Sequence, residues 1–388
     1  MKRIKLIGSN LALFAVLLAT IGCTRTTGTE GSDTSETKID HLIIKEVFYI
    51  GHEYTKLQNG KIAKYGGYNF YNKDQYIVIY NPTDEVKYLD GMALAVHGII
   101  PGEPKREFAL GDDFRDKYFG IQSLAMFPTD QQGSGKMYPI MPGESKVIAA
   151  FAIDHAETFK TEIKEQEKMA KEEATEDYPY IPSVYKGMDE FINLSKADFE
   201  WTNVNYLNSE DQKLNNPQVK DMQPILVVDD EPVLQFPTIL AEDVCIALIE
   251  VPWTTEDFRA NRKEDKANKK PGYQHRIYTN NGAAGLEVTE VPMVKVIDCV
   301  TICPTKPQMI PCEKMDKGYH GVTTTPLKAV PNQQWNKYSG LSIARKWDGK
   351  KFVDGNNSTQ DFEVIYATLG KKQGKPTIEK GNQNKPSK

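Results

Sequence analysis

Asp74 to Met92, DQYIVIYNPTDEVKYLDGM, is the stretch whose reading decides the fold. Gln75 to Tyr80 is dense in β-branched and aromatic residues, as strands are. Tyr76, Val78 and Tyr80 fall on one face, and Ile77 and Ile79 on the other. Both faces are therefore apolar, which predicts a strand inside a sandwich rather than one lying on a wet surface. Asn81-Pro82-Thr83-Asp84 supplies residues that favour a tight turn, and Met92 to Val96 reads as the next strand, giving a hairpin of two strands joined by a turn-rich connection.

Working outward, Leu42 to Ile50 (LIIKEVFYI) reads as the opening strand and Lys146 to Ile153 (KVIAAFAI) as another. Val244 to Val251 (VCIALIEV), the most apolar interior segment, reads as a central strand. Leu286 to Ile302 supplies one or two strands more. Between them, residues 154–223 read as a helical and loop insertion. Its helix, Glu157 to Glu176, is charged except for a narrow stripe of Phe159, Ile163 and Met169. Pro224 to Val228 and Val233 to Phe236 flank Asp229-Asp230-Glu231 as a hairpin. That acidic turn is either solvated or a calcium contact, and no ladder of alternating oxygens follows it.

The amino end reads as an export signal, residues 1–22. Lys2, Arg3 and Lys5 precede a short apolar run from Leu6 to Gly22, and Cys23 follows it where a lipobox cysteine would stand. An ordinary signal peptide with an incidental cysteine is the other reading, since Thr20 stands where lipoboxes usually carry Leu. Residues 23–40 would be the lipidated cysteine and a polar tether. Residues 370–388, rich in Lys, Gly and Pro, read as a disordered basic tail.

Composition sets further bounds. The chain has 388 residues and a formal net charge of −5, which becomes −8 without the three basic signal residues. No basic face interleaved with aromatics points to nucleic acid. Mean hydropathy is −0.52, and no second membrane-length apolar run exists.

The motifs "IYNPTDE" and "YLDGMAL", then "GSG…YPI…PGES…IA…AIDH", "LSKADFEW", "NNPQVKDM" and "VIDCV", occur in an order that resembles a family of uncharacterised Bacteroidota-type lipoproteins with a lamin-tail-like domain. The resemblance, which extends through the closing segment from Trp335, covers most of the chain. It implies a mainly β architecture: one immunoglobulin-like/lamin-tail-like β-sandwich over residues 41–369, with long loops and a helical insertion. It further implies a surface or periplasmic lipoprotein, often associated with TonB-dependent outer-membrane transport. No catalytic residues come with it.

The side chains that could carry chemistry are few. Apart from Cys23, the cysteines are Cys245, Cys299, Cys303 and Cys312, an even number in an exported chain. They are expected to form two disulfides, with Cys303–Cys312 and Cys245–Cys299 favoured among three connectivities. A zinc site is the alternative, but no CxxC knuckle is present. Candidate binding loops hold Tyr65, Tyr68, Phe70 and Tyr71, and separately Arg262, Lys263, Lys266 and His275, the latter suited to acidic surfaces or lipid headgroups. Folding back of the tyrosines and simple solvation of the basic loop are the bland readings.

His41, His52, His97, His155, His275 and His320 are scattered. There is no GxSxG, P-loop, HExxH or dinucleotide fingerprint. Asp354, Asn356 and Ser358 have the spacing that begins a calcium loop, but the twelfth position is Ile365, so a turn bonded through its side chains is preferred. No cofactor, metal or catalytic residue is expected. The expectation is a non-enzymatic binding or accessory lipoprotein of the outer membrane, working with a TonB-dependent transporter in uptake of a nutrient or metal complex. The alternative is a surface structural or adhesive module contacting host or matrix proteins. Metabolic labelling with a fatty acid is expected to tag the wild-type chain and to miss a Cys23→Ala variant; equal labelling of both would remove the anchor.

Overall fold

The computed structural model describes residues 38–98, 112–129, 135–225, 227–228, 231–232, 234–263, 267–268, 272–278, 285–307, 310–322, 338 and 340–370. The chain from Ile39 onward forms one unit. The expected signal segment, Cys23 with most of the expected tether, Lys266, Trp335 and the residues past Gly370 lie outside the described residues. Among those described, no helix is long and apolar enough to cross a membrane. The body is mainly β.

Two large sheets share one apolar core. The first has seven strands in the order Lys220–Asp221, Phe199–Glu200, Ser145–Ala149, Tyr76–Tyr80, Ile43–Phe48, Leu341–Arg345 and Phe362–Tyr366. The second has four: Val296–Ile302, Val244–Glu250, Met92–Gly98 and Ser123–Met126. Ile77 and Ile79 from the first sheet and Leu94, Val96, Ile246 and Leu248 from the second belong to the same buried cluster. Alternation places Tyr76 and Val78 in a separate cluster with Phe48 and Ala149 on the far face. The second sheet is likewise buried on both sides: Ala93, Ala95, Cys245, Ala247 and Ile249 pack into a further cluster with Phe119, Trp253 and Phe258. Strands apolar on both faces have nowhere else to go.

Three expectations are corrected. Tyr76–Tyr80 and Met92–Gly98 do not pair with each other. The first lies between Ile43–Phe48 and Ser145–Ala149, the second between Val244–Glu250 and Ser123–Met126, so the Asn81 turn carries the chain from one sheet to the other. Asn81 anchors that crossing: its Nδ2 donates to the Glu85 and Ile140 carbonyls at 2.7 Å each. Second, residues 154–223 are not only an insertion. Phe199–Glu200 runs parallel to Ser145–Ala149 and Lys220–Asp221 parallel to it in turn, extending the first sheet. Third, the helix His155–Glu172 starts earlier than predicted, with Asp154 accepting from the Glu157 amide at 3.1 Å as its cap. It buries His155, Phe159 and Ile163, whereas Met169 is 53 % exposed because it falls off that fourfold stripe.

The opening strand contains a bulge. Ile44 pairs with Ile79 and Glu46 with Val78, so Lys45 is the extra residue. The bulge lets both Ile44 and Val47 face the shared core and sends Glu46 to the other side. There the Glu46 carboxylate is 1 % exposed. It accepts from Tyr76 OH (2.6 Å), Ser342 Oγ (2.9 Å), Thr368 N (2.8 Å) and Oγ1 (2.6 Å), and Gly370 N (2.8 Å). Gly370 has φ +64° and a Cβ there would lie 2.7 Å from Val78 Cγ1, so only glycine closes this ring of donors.

A second buried charge lies on the same strand's other flank. The Arg345 side chain is 1 % exposed, and its Nη2 donates to Asp298 Oδ2 at 2.6 Å. Its Nη1 donates to Asp354 Oδ1 at 3.1 Å and to the Val353 carbonyl at 3.2 Å, and its Nε to the Ile44 carbonyl at 3.1 Å. Asp298 Oδ2 also accepts from the Ile44 amide at 2.7 Å, joining the two sheets through the bulged strand. Removing one partner of such a group strands the others without compensation. Arg345→Met is expected to cost roughly 3–5 kcal/mol in urea unfolding; a cost below about 1 kcal/mol, the range of an exposed pair, would contradict the clamp.

Candidate functional site

A smaller sheet carries the aromatic loop. His52–Gln58 pairs with Ser183–Lys186 on one edge and with Lys61–Ile62 and Tyr68–Tyr71 on the other. Registers assign its faces, because residues directly opposite in antiparallel strands share a side. Tyr54, Tyr71 and Tyr185 turn inward against Phe159 and Phe191 of the helical segment, with Tyr71 stacked on Phe191 at 4.4 Å. The other side carries Phe70 opposite Glu53, Tyr68 and Lys186 opposite Thr55, and Val184 and Ile62 opposite Leu57.

That outer side holds several exposed apolar groups. Val184 is 60 % exposed, Phe70 52 % and Ile62 45 %. Phe70 stacks face to face on Tyr338 at 4.4 Å. Tyr65, in the loop between the two short strands, is 79 % exposed with the Lys64 ammonium 5.3 Å over its ring. Lys61, Lys64 and Lys186 are exposed as well. Neighbouring exposed aromatic and aliphatic groups of this kind are the usual mark of a contact surface. Of the four aromatic residues singled out from sequence, Tyr65, Tyr68 and Phe70 thus belong to a surface, whereas Tyr71 is core. The signal that separates Phe70 from Tyr71 is the twofold period of the strand.

The basic loop is only partly a loop. Arg262 and Lys263 follow the short helix Thr255–Asn261. His275 belongs to the strand Gln274–Tyr278, where its Nε2 meets Glu290 Oε2 at 2.6 Å and its ring lies 4.9 Å from Phe114. It is an internal partner, not a free loop cation.

The histidines bond locally. His52 Nδ1 meets Asp74 Oδ2 at 2.7 Å, and Asp74 Oδ2 also accepts from the Ile192 amide. Tyr71 OH bonds His155 Nδ1 at 2.7 Å, with His155 Nε2 on the Phe151 carbonyl. His97 is buried on the second sheet. Among the described residues these imidazoles bond carboxylates, a phenol and backbone groups rather than a serine or cysteine nucleophile. His41 stands apart, beside Asp298 and Asp354.

The cysteines differ from expectation. All four are buried thiols, not two disulfides. Strand register sets Cys245 opposite Thr301 and Cys299 opposite Ala247, so the favoured pair is diagonal. Cys299 touches both Cys245 and Cys312, whereas Cys303 Sγ turns to Asp243 Oδ1 at 3.1 Å. Burial and that carboxylate push the Cys303 thiol up to about 12, and a thiol held protonated is a poor nucleophile.

Comparison with known proteins adds a fold. Residues 186–367 match a family described as protein of unknown function (DUF4876). The crystal structure of a DUF4876 family protein from Bacteroides thetaiotaomicron is similar to this one with a TM-score of 0.53 and 21 % sequence identity, over 90 % of this chain and 75 % of that chain. No curated protein matches. These likenesses agree with a Bacteroidota family of unknown function.

Burial holds His97 and His155 neutral, each depressed to about 4. In the unfolded chain they titrate near their ordinary value of about 6.5. Between these values the unfolded chain binds protons that the folded chain cannot, so their contribution is complete above pH ~6.5 and is lost as pH falls toward ~4. Unfolding free energy is expected to fall by on the order of 1–3 kcal/mol per histidine between pH 7 and 4. A His97→Gln/His155→Gln variant should lose that part of the slope in urea unfolding; an unchanged slope would refute the assignment.

Proposed function

We propose that this chain is a lipid-anchored binding or accessory protein of the cell envelope, held through Cys23 and built on an immunoglobulin-like, lamin-tail-like sandwich. Its working surface is the outer side of the small sheet, with Phe70, Tyr68, Val184 and Ile62, together with the nearby Tyr65. The observation that carries this reading is the exposure of Phe70, Val184, Ile62 and Tyr65 together on a folded scaffold whose central strands, Tyr76–Tyr80 and Val244–Glu250, bury apolar side chains on both faces. Aromatic groups of this type supply most of the energy at protein contacts. The partner proposed is a TonB-dependent outer-membrane transporter, and the cargo a nutrient or metal complex.

Affinity purification in native detergent tests the proposal. The wild-type chain is expected to bring down an outer-membrane transporter, and a Tyr65→Ala/Phe70→Ala variant to lose it by about tenfold or more, with its melting temperature unchanged. Recovery of no transporter together with no ligand in a broad binding screen, or wild-type recovery by the variant, would overturn it. Recovery of host or matrix proteins instead would favour an adhesive role.

A further inference from the structure

His41, Asp298 and Asp354 are far apart in sequence and have no part in the proposed contact surface. The fold brings one ring nitrogen of His41 and one carboxylate oxygen from each aspartate within 4.8 Å of one another. His41 immediately precedes the opening strand, Asp298 lies on the strand Val296–Ile302 of the second sheet, and Asp354 lies in the turn before the short helix Ser358–Asp361. We propose that these three side chains form a divalent cation site of the zinc or manganese class.

Three observations carry the proposal. The first is the imidazole. His41 Nδ1 lies 3.0 Å from Asp40 Oδ1. Nε2 faces Asp354 Oδ2, 3.1 Å away; burial opposes a charge on the ring, yet the Asp354, Asp298 and Asp40 carboxylates together raise its pKa, so positive charge is favoured at this spot. Nε2 is buried and lacks an aligned hydrogen-bond partner. A lone pair and a carboxylate oxygen at that distance repel unless a cation or a proton lies between them. A carboxylate on the far nitrogen of the ring is also the support that metal-binding histidines regularly have.

The second observation is charge. Asp298, Asp354 and Asp361 all surround Arg345, with side-chain exposures of 3 %, 6 % and 2 % against its 1 %. Three carboxylates about one guanidinium exceed its single positive charge, and a divalent cation beside them offsets the excess. Buried carboxylates in excess are otherwise costly.

The third is access and ligand type. The His41 side chain is 20 % exposed, so an ion reaches the cluster from solvent past its ring. One imidazole with two carboxylates suits zinc or manganese, whereas calcium takes oxygen ligands throughout. Bound there, the ion would fasten the start of the folded body to the second sheet and to the 353–361 turn. The Arg345 bonds to Asp298 Oδ2 and Asp354 Oδ1 can persist, because each carboxylate oxygen has a second lone pair.

The test uses the full chain, stripped with a chelator, dialysed, and titrated with zinc chloride by calorimetry, with manganese and calcium in parallel. The expected result is one zinc or manganese per chain and a higher melting temperature in its presence. His41→Ala is expected to weaken binding roughly tenfold or more while the metal-free protein melts as the wild type does. Asp354→Asn should weaken it too. His275→Ala, which alters a histidine committed to Glu290, should leave binding intact. No uptake of zinc or manganese by the wild type, or uptake unchanged in His41→Ala, overturns the site, and binding of calcium alone does so as well.

Discussion

The interaction on which the rest depends is the guanidinium of Arg345, buried where the two large sheets meet. It reaches Asp298 on the second sheet, the Ile44 carbonyl on the opening strand and Asp354 in the closing turn. These partners lie between 9 and 301 residues away in the chain, so the clamp exists only once the whole body has assembled. Charged groups inside an apolar sandwich rarely add stability over a well-packed hydrophobic substitute. What they add is uniqueness of register, since a one-residue slip of Ile43–Phe48 would strand Glu46, Asp298 and Arg345 at once. The bulge at Lys45 belongs to the same constraint. It keeps Ile44 and Val47 in the shared core while turning Glu46 to its five donors on the other side.

Under the proposed function, the small sheet of a body fastened in this way acts as a platform. Tyr54, Tyr71 and Tyr185 on its inner side are spent on packing against the helix His155–Glu172. The outer side contributes little to the core, and its Phe70, Val184 and Ile62 stay exposed. The division follows from strand geometry: alternate residues face core and solvent, so under the proposed function stability and contact do not compete.

Much of this was readable from the chain. The alternation in Tyr76–Tyr80 assigned Ile77 and Ile79 to one core and Tyr76 and Val78 to another, because a strand apolar on both faces admits no other placement. The pairing of strands was not readable. Tyr76–Tyr80 and Met92–Gly98 are neighbours in sequence, yet the partners of each are chosen by non-local packing, and the Asn81 turn serves a crossing as well as it would a hairpin. The buried charges left a faint signal, a Lys-Glu pair inside LIIKEVFYI and a lone aspartate inside VIDCV, that only tertiary contacts interpret. For the cysteines, parity of count suggested bridges, whereas strand register made one pair diagonal and gave Cys303 a carboxylate neighbour. His41 looked like one scattered histidine among six because its two carboxylate neighbours lie 257 and 313 residues further along the chain.

Native-state hydrogen exchange at the Ile44 amide tests the central claim most directly, because that amide donates to Asp298 Oδ2 beside Arg345. If the clamp joins the two sheets into one cooperative body, Ile44 and the amides of Val296–Ile302 and Leu341–Arg345 will exchange only through global unfolding, with one shared free energy of opening. Exchange of Ile44 through a local opening of much lower free energy, while Val244–Glu250 stays protected, would show that the sheets hold together without it.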